Sequence, residues 1–308
     1  MFKFETRQKI FQVGSVKIGG QPGELPTVLI GSLFHRGHKI VKDRTRGLFD
    51  EAQAEHLIRI QEEMSETTGV PCMLDVVAEY PEALSRYIDF VAKVSDAPFL
   101  VNGPNPSVRI AAVKHAQEVG LLETAVYNSI NYTLSEEEVQ AIKETGVKAA
   151  LIQAFNPRNP RPEGMISILR GEEGEGGLLE RANDAGIEKA LILTPILDVP
   201  SIGPAAKGIC LVKEEFGVPT GTAPIGVVGR WRRTDGFRRD AKKGCRTSAA
   251  ALVQAMGADF IIYGSIAKAR HIFPACAMID ATIAYTARGH GIRPLTRSHP
   301  VYTLFRQP

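Results

Sequence analysis

The sequence has little of what marks a special class of protein. Only four of its 308 residues are cysteine. Cys72, Cys210, Cys245 and Cys276 lie far apart and form no Cys-x-x-Cys pair. That excludes a disulfide-stapled scaffold, gives a zinc or other metal site no support, and reads as free thiols in a reducing compartment. No run reaches the roughly 18 unbroken apolar residues of a spanning helix, so no membrane insertion is expected. The start, from Met1 to Thr6, has no apolar stretch of the secretory kind, and a cytoplasmic location is expected. Neither sign of charge dominates: 37 basic and 34 acidic residues leave +3, too balanced to argue for nucleic acid or a membrane surface. A G-x-G-x-x-G dinucleotide fingerprint and a P-loop are missing as well. What remains, 44% hydrophobic and 23% charged, is the composition of an ordinary globular chain.

Short, continuous apolar runs recur at 27–34, 70–77, 97–102, 124–130, 148–155, 189–194, 218–223 and 258–264. They do not alternate with polar residues, as expected for strands buried on both faces. Between them lie helical patterns at 49–68, 85–94, 107–119, 135–145, 177–185, 201–216, 240–256 and 269–287. Ser135 followed by Glu138 is a capping box. Glycines such as Gly69, Gly146 and Gly217 stop helices, as left-handed C-caps do. Strand and helix alternating over some 260 residues predicts a single (β/α)8 TIM barrel spanning 1–308, with an open doubly wound sheet as the alternative. Residues 9–16 and the turn from Gly19 to Gly23 predict an N-terminal hairpin that closes the barrel floor or runs past it.

In such a barrel the chemistry sits at the C-terminal ends of the strands. The polar residues found there are Asp75, Asn102, Asn128, Gln153 and, beyond strand six, Asp198. A carboxylate inside an apolar run, as in Met73-Leu74-Asp75-Val76-Val77, is costly unless it is satisfied or used. Asp75 therefore either ties down a neighbouring loop or binds a ligand. Asn102 and Asn128 read equally as loop clamps or ligands, and Asp198 as either a ligand or the cap of a helix entering at Ser201. Taken together, two carboxylates and several amides suit a neutral heterocycle rich in donors and acceptors. They do not suit phosphoryl transfer. The pair His35 and His38 is spaced one residue too widely for the His-x-His of metal-dependent barrel hydrolases. Lys148 and Lys189 stand at the wrong strand ends for Schiff-base chemistry.

Specific strings go further. The segment from Val16 to Ser32 (VKIGGQPGELPTVLIGS) resembles the start of the H subunit of tetrahydromethanopterin S-methyltransferase and of its bacterial relatives, the methylcorrinoid:tetrahydrofolate methyltransferases. The similarity continues through Gly37 to Val41, Met73 to Val77, Tyr127 to Ile130, Leu197 to Gly203, Gly257 to Phe260 and His299 to Tyr302, nearly the whole chain. The resemblance implies methyl transfer between a corrinoid cobalt and N5 of a reduced pterin, tetrahydrofolate or tetrahydromethanopterin. It places Asp75, Asn128 and Asp198 at pterin-binding, catalytic positions. It implies a methylcobalamin-type donor on a separate corrinoid protein, not held permanently, and a homodimer. Two positions depart from the family pattern: Asn102 stands where relatives carry Asp, and Gly226 where they carry an Asn expected to bond N5.

A basic run, Arg230-Trp231-Arg232-Arg233 followed by Arg238 and Arg239, comes after strand seven. It reads as a solvated loop, or as a clamp in which Arg232 and Arg233 hold an anionic folate tail or dock an acidic corrinoid protein. Trp231 either packs on the flat p-aminobenzoate or anchors the loop. Two other functions compete with methyl transfer: a non-catalytic or tetrahydromethanopterin-specific pterin-binding subunit of a larger complex, and a dihydropteroate-type synthase.

Overall fold

Eight parallel strands close into a barrel in this computed structural model, which describes residues 3–172, 175–231, 236 and 239–305. In chain order they are β1 (Val28–Leu33), β2 (Cys72–Val77), β3 (Phe99–Asn102), β4 (Ala125–Ile130), β5 (Ala149–Gln153), β6 (Lys189–Thr194), β7 (Thr220–Thr222) and β8 (Phe260–Ser265). Each strand pairs with the next in the sequence, and β8 closes on β1. The expected (β/α)8 architecture is the one observed.

Helices cover the outside: α1 (Glu51–Thr68), α2 (Pro81–Val94), α3 (Pro106–Glu118), α4 (Glu136–Thr145), α5 (Pro162–Arg170), α6 (Leu178–Asp184), α7 (Ile202–Phe216), α8 (Pro224–Arg230), α9 (Arg239–Ala255), α10 (Ala269–Ala287) and α11 (Pro300–Thr303). The capping box forms as read, Ser135 Oγ accepting from Glu138 N at 3.2 Å. Three helices, α5, α8 and α11, lie outside the helical patterns read from the sequence. Each carries its proline in the first turn, where the missing N–H is not needed. Strand β7 has three residues rather than six. Pro219 and Pro224 flank it, and neither can donate to a ladder.

Inside the barrel the strands are read by parity. Val28, Ile30, Met73, Leu100, Val126, Leu151, Leu191 and Phe260 meet in one cluster, joined from below by Val13, Val16 and Ile18. Each fully buried side chain of this size stabilises by about 1.5–3 kcal/mol. The three added residues belong to an antiparallel hairpin, Ile10–Val13 with Val16–Gly19. The hairpin therefore plugs the floor, and its turn is at Gly14 and Ser15 rather than at 19–23. Gly14 takes the left-handed φ of 51° that this tight turn demands. Residues 19–23 instead form the exit from the hairpin into β1. Below the floor, Lys213 Nζ on α7 donates to Asp259 Oδ1 and to Gly20 O, which fixes that exit.

A second buried network braces the other end. Arg109 on α3 donates to Tyr127 Oη, Gly103 O and Glu138 Oε1, at 3.0, 3.0 and 2.8 Å. It joins the end of β3, the outer side of β4 and the start of α4, holding steady the two strand ends that carry Asn102 and Asn128.

Candidate active site

Side chains in a strand alternate between faces. The parity that points Met73, Leu100, Val126 and Leu151 inward also points Asp75, Asn102, Asn128 and Gln153 inward, two residues nearer the mouth. Ser32 follows Ile30 on β1 in the same way. Five consecutive strands, β1 to β5, thus present polar side chains at the C-terminal mouth. Asp75 and Ser32 are register partners, as are Asn102 and Asn128.

Asp75 is the hub, only 3% exposed. Its Oδ2 accepts from Ser32 Oγ at 2.7 Å, and its Oδ1 from Asn102 Nδ2 at 2.9 Å and Asn128 Nδ2 at 3.4 Å. Burial raises its pKa above the ordinary carboxylate value, and these three hydrogen bonds pull back against that rise. The side-chain oxygens (Oδ1) of Asn102 and Asn128 accept no hydrogen bond among the described residues, and the Gln153 side-chain amide makes none there. Together with the remaining lone pair on Asp75 Oδ2, they leave acceptors and donors open toward the mouth. The Asn128–Ser129 peptide is cis.

The turn after β1 adds groups that spacing alone did not assign. Phe34 holds a positive φ of 59°, an uncommon conformation for a bulky residue that costs on the order of 1–3 kcal/mol. Two contacts fix it: its N–H donates to His38 Nδ1 at 3.1 Å, and its ring stacks on Tyr87 at 4.0 Å. His38 in turn stacks on His35 at 4.7 Å. Burial, then the charges of His35 and Lys268, push His38 down to about 4, so the ring stays neutral. His35 Nε2 is buried and meets no partner among the described residues, an orphaned polar atom at the mouth. Beside this turn, Lys268 follows β8, close enough for its charge to act on His38, and Arg246 of α9 acts in turn on Lys268. Among the described residues no group of three or more His, Cys, Asp or Glu gathers in a metal-holding arrangement. All four cysteines are free thiols.

Asp198 is not brought into this cluster. It lies four residues past the end of β6 and is exposed, and its Oδ1 accepts from Ser201 N at 2.9 Å while Ser201 Oγ donates to its carbonyl. That is a loop clamp before α7. Asp198 also lines a separate cleft of about 320 Å³ with Leu197, Val199, Pro200, Arg230 and Trp231. Gly226 lies in the first turn of α8, and a Cβ placed there meets nothing within 4 Å among the described residues, which leaves room for an Asn side chain beside them. Arg232, Arg233 and Arg238 lie outside the described residues, and of Arg239 only the backbone is described. The sequence reading weighed His35 and His38 only as a metal pair and did not single out Lys268 or Arg246. A signal existed for Lys268: a lysine just after strand eight, among small and apolar residues.

Comparison with known proteins follows the same line. In fold, the chain is similar to a dihydropteroate synthase of Yersinia pestis in complex with a pterine-sulfa conjugate, with a TM-score of 0.62 over 90% of this chain and 100% of the other, at 14% identity. It is also similar to a Xanthomonas albilineans dihydropteroate synthase bound to 7,8-dihydropteroate, at a TM-score of 0.57 over 85% and 95% of the two chains and 16% identity. In sequence, it is 42% identical over 309 aligned residues to the tetrahydromethanopterin S-methyltransferase H subunit of Methanopyrus kandleri, covering 95% of this chain and 96% of that one. The corresponding H subunit of Methanothermobacter thermautotrophicus is 39% identical, covering 99% and 100%. Residues 6–295 match the family described as tetrahydromethanopterin S-methyltransferase MtrH subunit, and the chain belongs to that family.

Proposed function

We propose that the chain catalyses methyl transfer between a methylated corrinoid and N5 of a reduced pterin, with tetrahydrofolate or tetrahydromethanopterin as the acceptor. The observation that carries this is the buried Asp75–Asn102–Asn128 cluster at the mouth of a barrel of this family. Its open acceptors and donors match the N–H and C=O edge of an amino-pyrimidinone. Asp75 Oδ2 accepts from one N–H group of the ring, and the two amides and Gln153 supply the mixed donors and acceptors around it. His35 Nε2 gains the partner it lacks.

With the ring gripped by one edge, N5 is presented to the methyl donor. The N5 lone pair forms the new N–C bond while the C–Co bond breaks, its electron pair passing to cobalt, so Co(III) becomes Co(I). No covalent nucleophile is required of the protein. Its work is to align N5 with the Co–CH3 bond and to exclude water, and positioning of this kind is worth several kcal/mol and up to about 7–11 in the best intramolecular models. The donor arrives on a corrinoid protein docking at the mouth and is not held by this chain. The exposed Leu197 and the cleft around Trp231 and Arg230 flank that mouth. No described helix is long and apolar enough to cross a membrane. A cytoplasmic homodimer is part of this reading.

Choosing between pterins requires an assay. Anaerobic spectroscopy of methylcobalamin should show the Co(I) band appearing on addition of tetrahydrofolate or of tetrahydromethanopterin. Activity with the first alone would place the chain with the tetrahydrofolate enzymes, and with the second alone beside its archaeal relatives. A protein that binds a pterin but never changes the cobalt spectrum is an interaction subunit.

A further inference from the structure

We propose that Lys268 exchanges the proton that N5 loses or gains during methyl transfer. This rests on the methyl-transfer reading and adds a residue and a role to it. N5 of the acceptor enters as a neutral amine bearing a hydrogen. When its lone pair takes the methyl group, N5 becomes a cation. The N5–H bond must then break, its electron pair returning to N5 and the proton passing to a base. In the opposite direction N5 must be protonated before it can leave as a neutral amine. The Asp75 cluster is engaged with the other ring, so the group that handles this proton must stand elsewhere at the mouth.

The end of β8 is built to hold Lys268 there. The ladder to β1 slips at this point: Ile262 pairs with Ile30 and Gly264 with Gly31, leaving Tyr263 as the extra residue of a bulge. Tyr263 turns outward to Gln61, and its freed carbonyl lies 3.4 Å from Lys268 Nζ. Gly264 takes a φ of 72°, and a Cβ added there would come within 3.2 Å of the Lys268 nitrogen. The bulge and the glycine together let the amine settle against the backbone at the strand end. Only β1 separates β8 from β2, a span of roughly 10 Å at the usual strand spacing. A bicyclic ring held by its amino edge on β2–β4 directs its other ring, which carries N5, across the mouth toward this side.

The surroundings of the amine are those of a proton carrier rather than of an ion pair. Lys268 is half-buried and meets no carboxylate among the described residues. The charged and titratable groups around it are Arg246 from α9 and His38 and His35 from the turn after β1. Asp75 lies beyond His35. Burial first, and the Arg246 charge second, bring Lys268 down to about 8, within reach of working pH. His38 is held neutral and does not compete for this role.

The test uses the full chain with methylcobalamin and a tetrahydropterin that it demethylates, followed in single turnovers from about pH 6 to 10. In the corrinoid-to-pterin direction the free amine is the active form, so the rate should rise with pH and level off above about 8. In the pterin-to-corrinoid direction the ammonium is active, and the rate should fall across the same range. Lys268→Met should lose about 100-fold or more in rate, lose both limbs, and keep its pterin Kd within threefold. Lys268→Arg, which preserves the charge but cannot release a proton, should behave like Lys268→Met. Should the Arg variant keep the wild-type rate, or either variant keep the limbs, the proposal is overturned. The same follows if pterin affinity falls as far as the rate does. A wild type that demethylates methylcobalamin with neither pterin sinks the methyl-transfer reading itself, which is a different result.

Discussion

Replacing Asp75 by alanine tests the core of the site. The carboxylate accepts three hydrogen bonds from Ser32, Asn102 and Asn128, and two oxygens offer about four acceptor positions, so one remains for a ligand. A hydrogen bond to a charged partner contributes about 1.5–3 kcal/mol net. Its loss corresponds to roughly a 10- to 150-fold weaker Kd for the pterin, at 1.4 kcal/mol per factor of ten. The two amides would also lose the anchor that aims them, so the upper part of that range is expected. Anaerobic titration calorimetry with tetrahydrofolate and tetrahydromethanopterin reads the effect directly, with thermal unfolding run alongside to show that the variant is folded. In the wild type, affinity should fall as pH is lowered, since the ligand needs the ionised carboxylate. Because burial raises the Asp75 pKa, that fall should begin at a higher pH than for a free Asp. An unchanged Kd in a folded Asp75→Ala protein would refute the assignment of the cluster as the pterin grip.

Other expectations follow from the same geometry. Asn102→Asp should weaken rather than strengthen pterin binding at neutral pH, because it sets two carboxylates about 2.9 Å apart, where one must hold a proton; calorimetry between about pH 5 and 8 checks this. Asp198→Ala should cost no more than about 1–2 kcal/mol of stability, as loss of a helix-entry cap does, and a pterin Kd raised tenfold would instead return Asp198 to the site. Glu138→Gln should destabilise by roughly 3–5 kcal/mol in denaturant melts, since it leaves Arg109 buried without its charge partner. Asp280 is buried with no cation paired to it among the described residues, accepts from Thr27 and Gln254, and has its pKa pushed up to about 7 by desolvation. The folded state therefore holds this proton longer than the unfolded one, and the contribution of Asp280 to stability should decline as pH rises from about 4 to about 7. Asp280→Asn should flatten that slope in urea melts.

Much of this was legible in the residues, for reasons that can be named. A run such as Val28–Leu33, apolar almost throughout, reports burial on both faces, and a chain of such runs separated by capped amphipathic segments closes as a barrel. Asp75 announced itself as a charge inside an apolar run. Asp198 illustrates the limit. Its place near the end of strand six suggested the rim, but the turn through Ser201 carries it past the strand into a local clamp, and turn geometry of that kind has no periodic signature. Lys268 was visible as a lysine just after strand eight, but its setting was not. The role proposed for it depends on a one-residue slip between β8 and β1, and a register slip is a property of two strands at once that neither strand's sequence displays. The left-handed Phe34 is similar, since only the contacts from His38 and Tyr87 make that conformation tenable.

The hairpin beneath the barrel has a kinetic consequence. With Val13, Val16 and Ile18 stoppering the lower end, the barrel has a single doorway. In the proposed reaction the pterin and the corrinoid protein would both have to use it, and the corrinoid carrier is far the larger. Once the carrier has docked, the pterin can neither enter nor leave. Turnover would then be sequential, pterin first, with the methylated product released only after the carrier departs. Excess carrier would trap the product inside, and inhibition at high carrier concentration would be the signature of that order.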